Sequence, residues 1–236
     1  MKALILAAGR GERMRPLSDV TPKPLLPVRG KPLIEWHLLA LARAGVRDVV
    51  INTAWLEAQI VDALGDGARW GLRLRYSMEG RDHGGALETG GGMAKALPML
   101  VDRDDAAFWL VSADIHAPAF DFDVGRADAF ERGADLAHLW LVPNPPYHVA
   151  GDFGLDVEGR LRREGVDRRW TYANLALCRA TLVKPIVPGT RAALGPLLFE
   201  AAQAGRLSGE ALAGEWHNIG TPAQLAALVA EDPARA

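Results

Sequence analysis

Arg13, Arg15 and Lys23 share one short reach of this chain with two glycines, and their types suit one kind of ligand. In AAGRGERMRP (7–16), Gly9 and Gly11 are followed by Arg13 and Arg15, and TPKPLLPV then sets Lys23 between two prolines. Glycines let backbone N–H groups converge on anionic oxygens with no Cβ in the way. A GxG alone is more often a plain surface turn. A long loop carrying Arg13, Arg15 and Lys23 and stiffened by prolines reads instead as a phosphate-binding arm. Neither familiar phosphate loop fits it: the dinucleotide fingerprint needs a third glycine where Met14 stands, and no Gly-Lys-Ser/Thr follows at P-loop spacing. Asp114 is the second candidate. It ends the apolar run AFWLVSADI (107–115), which predicts a buried strand delivering a carboxylate to its carboxyl end.

The elements that would position these groups alternate. A strand over 3–6 leads into the arm. A helix opens with Pro32 as its first residue and ends before Gly45; a strand follows at 46–53, a helix at 55–64 and a strand at 72–77. The glycine-rich segment 80–92 then connects to a helix over MAKALPML. This rhythm predicts an α/β fold, a mostly parallel sheet with helices on both faces, whose ligands bind beyond the carboxyl ends of the strands. The second half is less regular: strands at 134–142 and 170–178, a hairpin turning at Glu158-Gly159, and helices at about 190–204 and 221–231, the last with Thr221 as N-cap. No repeat, low-complexity tract or linker divides the chain, so one domain over 1–236 is the economical reading.

Composition narrows the class. Hydrophobic residues are 49% and charged residues 24% of the 236, as in soluble globular proteins. A net charge of −2 gives no reason to expect a nucleic acid or an anionic membrane as partner. Cys178 is the only cysteine, so no intrachain disulfide forms, and it reads as an inert buried thiol. The apolar start is too short for a signal peptide and nothing approaches the roughly 18 apolar residues of a membrane span, so a cytoplasmic protein is expected. His37, His83, His116, His138 and His148 lack metal-ligand spacing, and His37 reads as a packed side chain.

The stretch LILAAGRGERMRPLSDVTPKPLLPV (4–28) closely resembles the signature of the sugar-1-phosphate nucleotidyltransferases, LAAGxGxRxxPLTxxxPKPLxPV, with Ser18 where threonine is usual. LETGGG (87–92), WHNIGTP (216–222) and the closing helix extend the resemblance over nearly the whole chain. It implies a Rossmann-like mixed, mostly parallel sheet flanked by helices, and a reaction joining a nucleoside triphosphate to a sugar 1-phosphate with release of pyrophosphate. About residues 1–120 would hold the nucleotide and about 121–236 the sugar. Ala8, Gly9, Gly11 and Glu12 match the triphosphate loop, Arg13 the cation near the departing pyrophosphate, and Lys23 the lysine on the phosphates. Gly80 and Glu88 correspond to contacts with the base, and Ser112 lies where the family's NGD has asparagine.

By the same resemblance Asp114 binds Mg²⁺, and Asp152, Glu164 and Asn174 face the sugar. Asn218 stands where the family's second Mg²⁺ ligand, the aspartate of DxGTP, would be; an amide oxygen can coordinate Mg²⁺ but brings no charge. The sequence looks most like the branch that makes UDP-N-acetylmuramate from UTP, with mannose- or glucose-1-phosphate nucleotidyltransferases as the alternative. Asn218 and the Ser112-Ala113 pair also leave open a nucleotide binder without turnover. A monomer or small homo-oligomer is expected.

Overall fold

The computed structural model describes residues 1–230. Seven strands form its main sheet: β1 (Lys2–Leu6), β2 (Asp48–Thr53), β3 (Arg73–Met78), β4 (Ala107–Ser112), β5 (Ala137–Val142), β6 (Thr171–Arg179) and β7 (Leu207–Ala211), in the order β7-β5-β6-β4-β1-β2-β3. The pairs β1·β2, β1·β4, β2·β3 and β5·β7 are parallel, and β6 runs antiparallel to both β4 and β5. The expected mixed, mostly parallel sheet is therefore present.

Strict alternation within the central strands explains why both faces must be covered. Ala3 and Ile5 of β1, Val49 and Ile51 of β2, and Trp109 and Val111 of β4 enter one core. That core is closed by α1 (Leu33–Arg43), α2 (Glu57–Leu64) and the Phe120 and Phe122 segment. Leu4, Val50, Phe108 and Leu110 enter the other core, beneath α4 (Glu88–Leu100) and α6 (Gly195–Gln203); α3 (Glu79–His83) and α5 (Val124–Arg132) precede those helices in turn. A third, smaller core lies under the phosphate-binding arm: Met14, Leu26, Val28, Leu33 and Ile219 pack against Leu225 and Leu228 of α7 (Pro222–Ala230). Met14 is fully buried there, so the position that the dinucleotide fingerprint gives to glycine serves here as an anchor.

Most boundaries fall within two or three residues of the expected ones, and three differences have physical reasons. Pro32 caps α1 rather than opening it, because Pro27 and Val28 pair with Pro32 and Lys31 in a two-residue ribbon. Gly90, Gly91 and Gly92 lie inside α4 rather than in a connecting loop. They are glycines because a Cβ would strike the 190–193 segment at Gly90 and Gly91, and Asn52 and Glu79 at Gly92. The helix expected near 190–204 starts at Gly195, since Ala192 is occupied in holding that segment against α4, its N donating to the Leu87 carbonyl and its carbonyl accepting from Gly91 N. The closing helix is observed over 222–230 with Thr221 Oγ1 accepting from Gln224 N, and position 231 lies outside the described residues.

Candidate active site

The carboxyl ends of β1, β2 and β4 open onto a cavity of about 650 Å³. The arm forms one wall. Gly11 is left-handed (φ +65°) and its carbonyl accepts from Met14 N and Ser18 Oγ, which turns the chain back on itself. Trp55 Nε1 donates to the Ser18 carbonyl and its ring lies under the Arg10 guanidinium, so the arm is clamped from β2's side. A Cβ at Gly9 would meet nothing within 4 Å, which leaves the backbone there open to the cavity. Ala8, Gly9, Gly11, Glu12 and Arg13 all line it, as do Lys23, Ser112, Asp114 and Glu88.

Lys23 opens a single helical turn after Pro22, and its ammonium reaches across the cavity to Asp114 Oδ2 at 2.7 Å. Asp114 lies just beyond β4, held by Ala113 N donating to the Leu6 carbonyl and by Ile219 N donating to its own carbonyl. The second of these bonds belongs to a small ribbon in which Ile115 and His116 pair with Asn218 and His217. Asn218 is thereby brought beside Asp114 from more than 100 positions away, and its buried Oδ1 has no hydrogen-bond partner. A Cβ at Gly220 would come within 3.2 Å of Arg13 Nη2, so glycine there makes room for the guanidinium.

A second cavity, about 620 Å³, adjoins the first along Arg13, Glu88 and Thr89. Asp152, Asn174 and Asn218 line it. Asp152 Oδ2 accepts from Tyr172 N at 2.8 Å and Oδ1 lies 2.9 Å from His148 Nε2. Asn174 is left-handed (φ +58°) where the β5·β6 register shifts between Tyr172 and Ala176, a bulge that turns its side chain out of the strand's regular alternation. Glu88 is also left-handed (φ +62°), at the first turn of α4, with Arg191 Nη2 at 3.4 Å. Positive φ outside glycine is a costly conformation that clusters at ligand sites.

Two expected residues are not brought here. Gly80 lies outside the lining of either cavity, in α3, where a Cβ would sit 2.5 Å from the Ala54 carbonyl. Its glycine is required by packing on the chain after β2. Glu164 is exposed on the loop beyond the 154–162 hairpin and also lies outside both linings. Asn52, Tyr147 and His148 line these cavities without having been singled out as site residues. Asn52 carries the same signal as Asp114, a polar side chain ending an apolar strand. His148 shows no pattern until Asp152 is seen against it.

His37 and His116 are buried and packed. Burial drops His37 to about 4, and its ring nitrogen Nε2 hydrogen-bonds the Ile115 carbonyl at 2.7 Å. Burial likewise lowers His116 to about 4, edge-on to Trp36. Among the described residues no group of three or more His, Cys, Asp and Glu side chains could hold a metal. No helix among the described residues is long and apolar enough to cross a membrane.

Comparison with known proteins agrees with this geometry. A family model described as nucleotidyl transferase matches residues 2–155. N-acetylmuramate alpha-1-phosphate uridylyltransferase of Neisseria meningitidis serogroup B is 44% identical over 231 residues, 95% of each chain. The Caulobacter vibrioides protein of the same name is 33% identical over 95% of this chain and 94% of its own. A solved structure from Bacillus anthracis, described as a glucose-1-phosphate thymidylyltransferase in complex with sucrose, superposes with a TM-score of 0.81 over 98% of this chain and 95% of its own at 20% identity, which speaks to fold. The chain belongs to the nucleotidyl transferase family, whose members transfer nucleotidyl groups to sugar 1-phosphates.

Proposed function

We propose that this protein transfers the uridylyl group of UTP to N-acetylmuramate 1-phosphate, releasing pyrophosphate in an Mg²⁺-dependent reaction of cell-wall recycling in the cytoplasm. The substrate assignment is supported by the two full-length relatives of that name. One observation supports the chemistry: Lys23 pairs with Asp114 in a cavity lined by the glycine arm, and the adjoining cavity, sharing Arg13, Glu88 and Thr89 with it, is lined by Asp152, Asn174 and Asn218.

In this reading the first cavity takes the triphosphate and the second the sugar. Attack of a sugar phosphate oxygen on the α-phosphorus brings two polyanions together and loads charge on the departing pyrophosphate. The chain therefore supplies positioning and positive charge rather than a covalent nucleophile. Backbone N–H groups around Gly9 and Gly11 receive the triphosphate, Arg13 neutralises the leaving pyrophosphate, and Lys23 leaves Asp114 for the phosphate oxygens when substrate enters. Asp114 Oδ and the unpartnered Asn218 Oδ1 are hard oxygen donors of the kind Mg²⁺ takes, usually with phosphate oxygens and water completing the shell. Mg²⁺ held there would screen the two polyanions from each other.

The test is pyrophosphate release with UTP and Mg²⁺ against N-acetylmuramate, mannose and glucose 1-phosphates, with the product mass recorded. UDP-N-acetylmuramate as the preferred product supports the reading, and preference for another sugar reassigns the substrate. Asn218 in place of the family's aspartate favours one second reading, nucleotide binding without turnover. That reading predicts UTP affinity but no product unless Asn218→Asp is made.

A further inference from the structure

We propose that Asn52 and Glu79 form a hydrogen-bond relay that fixes the width of the nucleotide cavity, and that both are positioning residues for the nucleoside triphosphate. The inference rests on the first cavity being the nucleotide site. Ala7 N donates to Asn52 Oδ1 at 2.8 Å, Asn52 Nδ2 donates to Glu79 Oε1 at 2.7 Å, and Leu87 N donates to Glu79 Oε2 at 2.7 Å. Ala7 leads directly into Ala8 and Gly9 of the arm. Leu87 leads directly into Glu88 and Thr89, which line the same cavity from the start of α4. Two buried side chains therefore span the gap between the wall for phosphates and the wall that opens α4.

The polarity of this chain of bonds is forced. Both ends are backbone N–H groups, which can only donate, so one residue between them must accept on both sides. A carboxylate does so and an amide cannot; the amide of Asn52 passes the direction on, with its oxygen toward Ala7 and its nitrogen toward Glu79. Glu79 is wholly buried and Asn52 nearly so, where unpaired polar atoms are expensive. Burial raises the Glu79 pKa, opposed by the Leu87 and Asn52 hydrogen bonds and by the charge of Lys95. The relay also accounts for Gly92, because a Cβ there would come within 2.6 Å of both Asn52 Nδ2 and Glu79 Oε1. A buried carboxylate retained under this close helix contact, with both its oxygens spent on cavity walls, is better explained by positioning than by packing.

Forced polarity supplies the test. Glu79→Gln puts two amides in series and leaves one donor facing another; Asn52→Asp sets two carboxylates together. The double variant Asn52→Asp/Glu79→Gln reverses the middle bond and satisfies every group again. UTP binding is measured by calorimetry with Mg²⁺ and without sugar phosphate, then kcat and both KM values, with thermal unfolding recorded for each protein. Each single variant should weaken UTP binding about tenfold, the usual effect of losing one hydrogen bond to a charged group. The KM for sugar phosphate should hold, and the double variant should return to within about threefold of wild type. If Glu79→Gln does not fold, Asn52→Ala cuts the relay at the arm and should show the same selective loss. Unchanged UTP affinity in the single variants, or in Asn52→Ala, overturns the proposal. So does a double variant no better than its parents, or a change in preferred base in Glu79→Gln, which would place the carboxylate on the base itself. A wild type that binds no nucleoside triphosphate overturns the underlying reading of the cavity instead.

Discussion

The two cavities are built in different ways. The first cavity, the nucleotide side in the proposed reading, is made from the ends of three adjacent parallel strands, β1, β2 and β4, with an arm whose internal contacts are mostly local: Gly11 to Ser18, Pro22 to Leu25. The second cavity, the sugar side in the proposed reading, is made from irregular chain, the 143–153 loop and a bulge in β6, tied by bonds such as Tyr172 N to Asp152 Oδ2 and Trp216 Nε1 to the Ala173 carbonyl. Regular strand ends hold charge where a common triphosphate needs it. Loops and a bulge are where substrate choice can vary without disturbing the sheet.

If this division is right, variants on the two sides should separate in their kinetics. The largest loss is expected for Lys23→Ala, which removes the cation shared by the arm and Asp114. A fall of roughly 10²- to 10³-fold in kcat is expected, as for other single electrostatic stabilisers, checked by pyrophosphate release with both substrates saturating. A loss confined to the sugar KM would break the comparison.

Next comes the support beneath the arm. Met14→Ala would leave a cavity in the small core under α7 and should cost about 2–5 kcal/mol of stability, read by denaturant unfolding. The arm being rooted there, UTP affinity should fall with it, whereas sugar-side contacts should not feel it.

Asp152→Asn should be smaller and opposite in pattern. The carboxylate loses its charge toward His148 but can still accept from Tyr172 N, so about a tenfold rise in the sugar phosphate KM is expected from the weakened polar contact, with the UTP KM unchanged in the same initial-rate grid. Asn174→Gly is the mildest. Glycine keeps the left-handed backbone at little cost, so stability should move by less than about 1 kcal/mol, and any rise in sugar KM then reports the lost side chain rather than a collapsed bulge.

The same contrast explains what the sequence could and could not disclose. The sheet, the arm, Lys23 and Asp114 are legible because alternation, glycine spacing and an apolar run ending in a carboxylate are local signals. Asn218 is found through its motif, but its place beside Asp114 depends on a ribbon joining 115–116 to 217–218. The three glycines of LETGGG look like a loop from spacing alone; only the 190–193 segment and Asn52 with Glu79 pressing on α4 make them helical. Glu164 and Gly80 lie outside both linings: the match at Glu164 is loose and falls in a loop, and Gly80 is packed in α3 against the Ala54 carbonyl. Glu79 and the His148–Asp152 pair meet their partners through tertiary contacts that no spacing announces; Asn52 ends an apolar strand as Asp114 follows one, but its bond to Glu79 is equally hidden.

The most direct test of the two-cavity account is a crystal structure of the protein with UTP, Mg²⁺ and N-acetylmuramate 1-phosphate, using Lys23→Ala to slow turnover. The account predicts the triphosphate against Gly9, Gly11 and Arg13, the metal between Asp114 and Asn218, and the sugar beside Asp152 and Asn174. Triphosphate in the second cavity, or a metal that avoids Asn218, would contradict it.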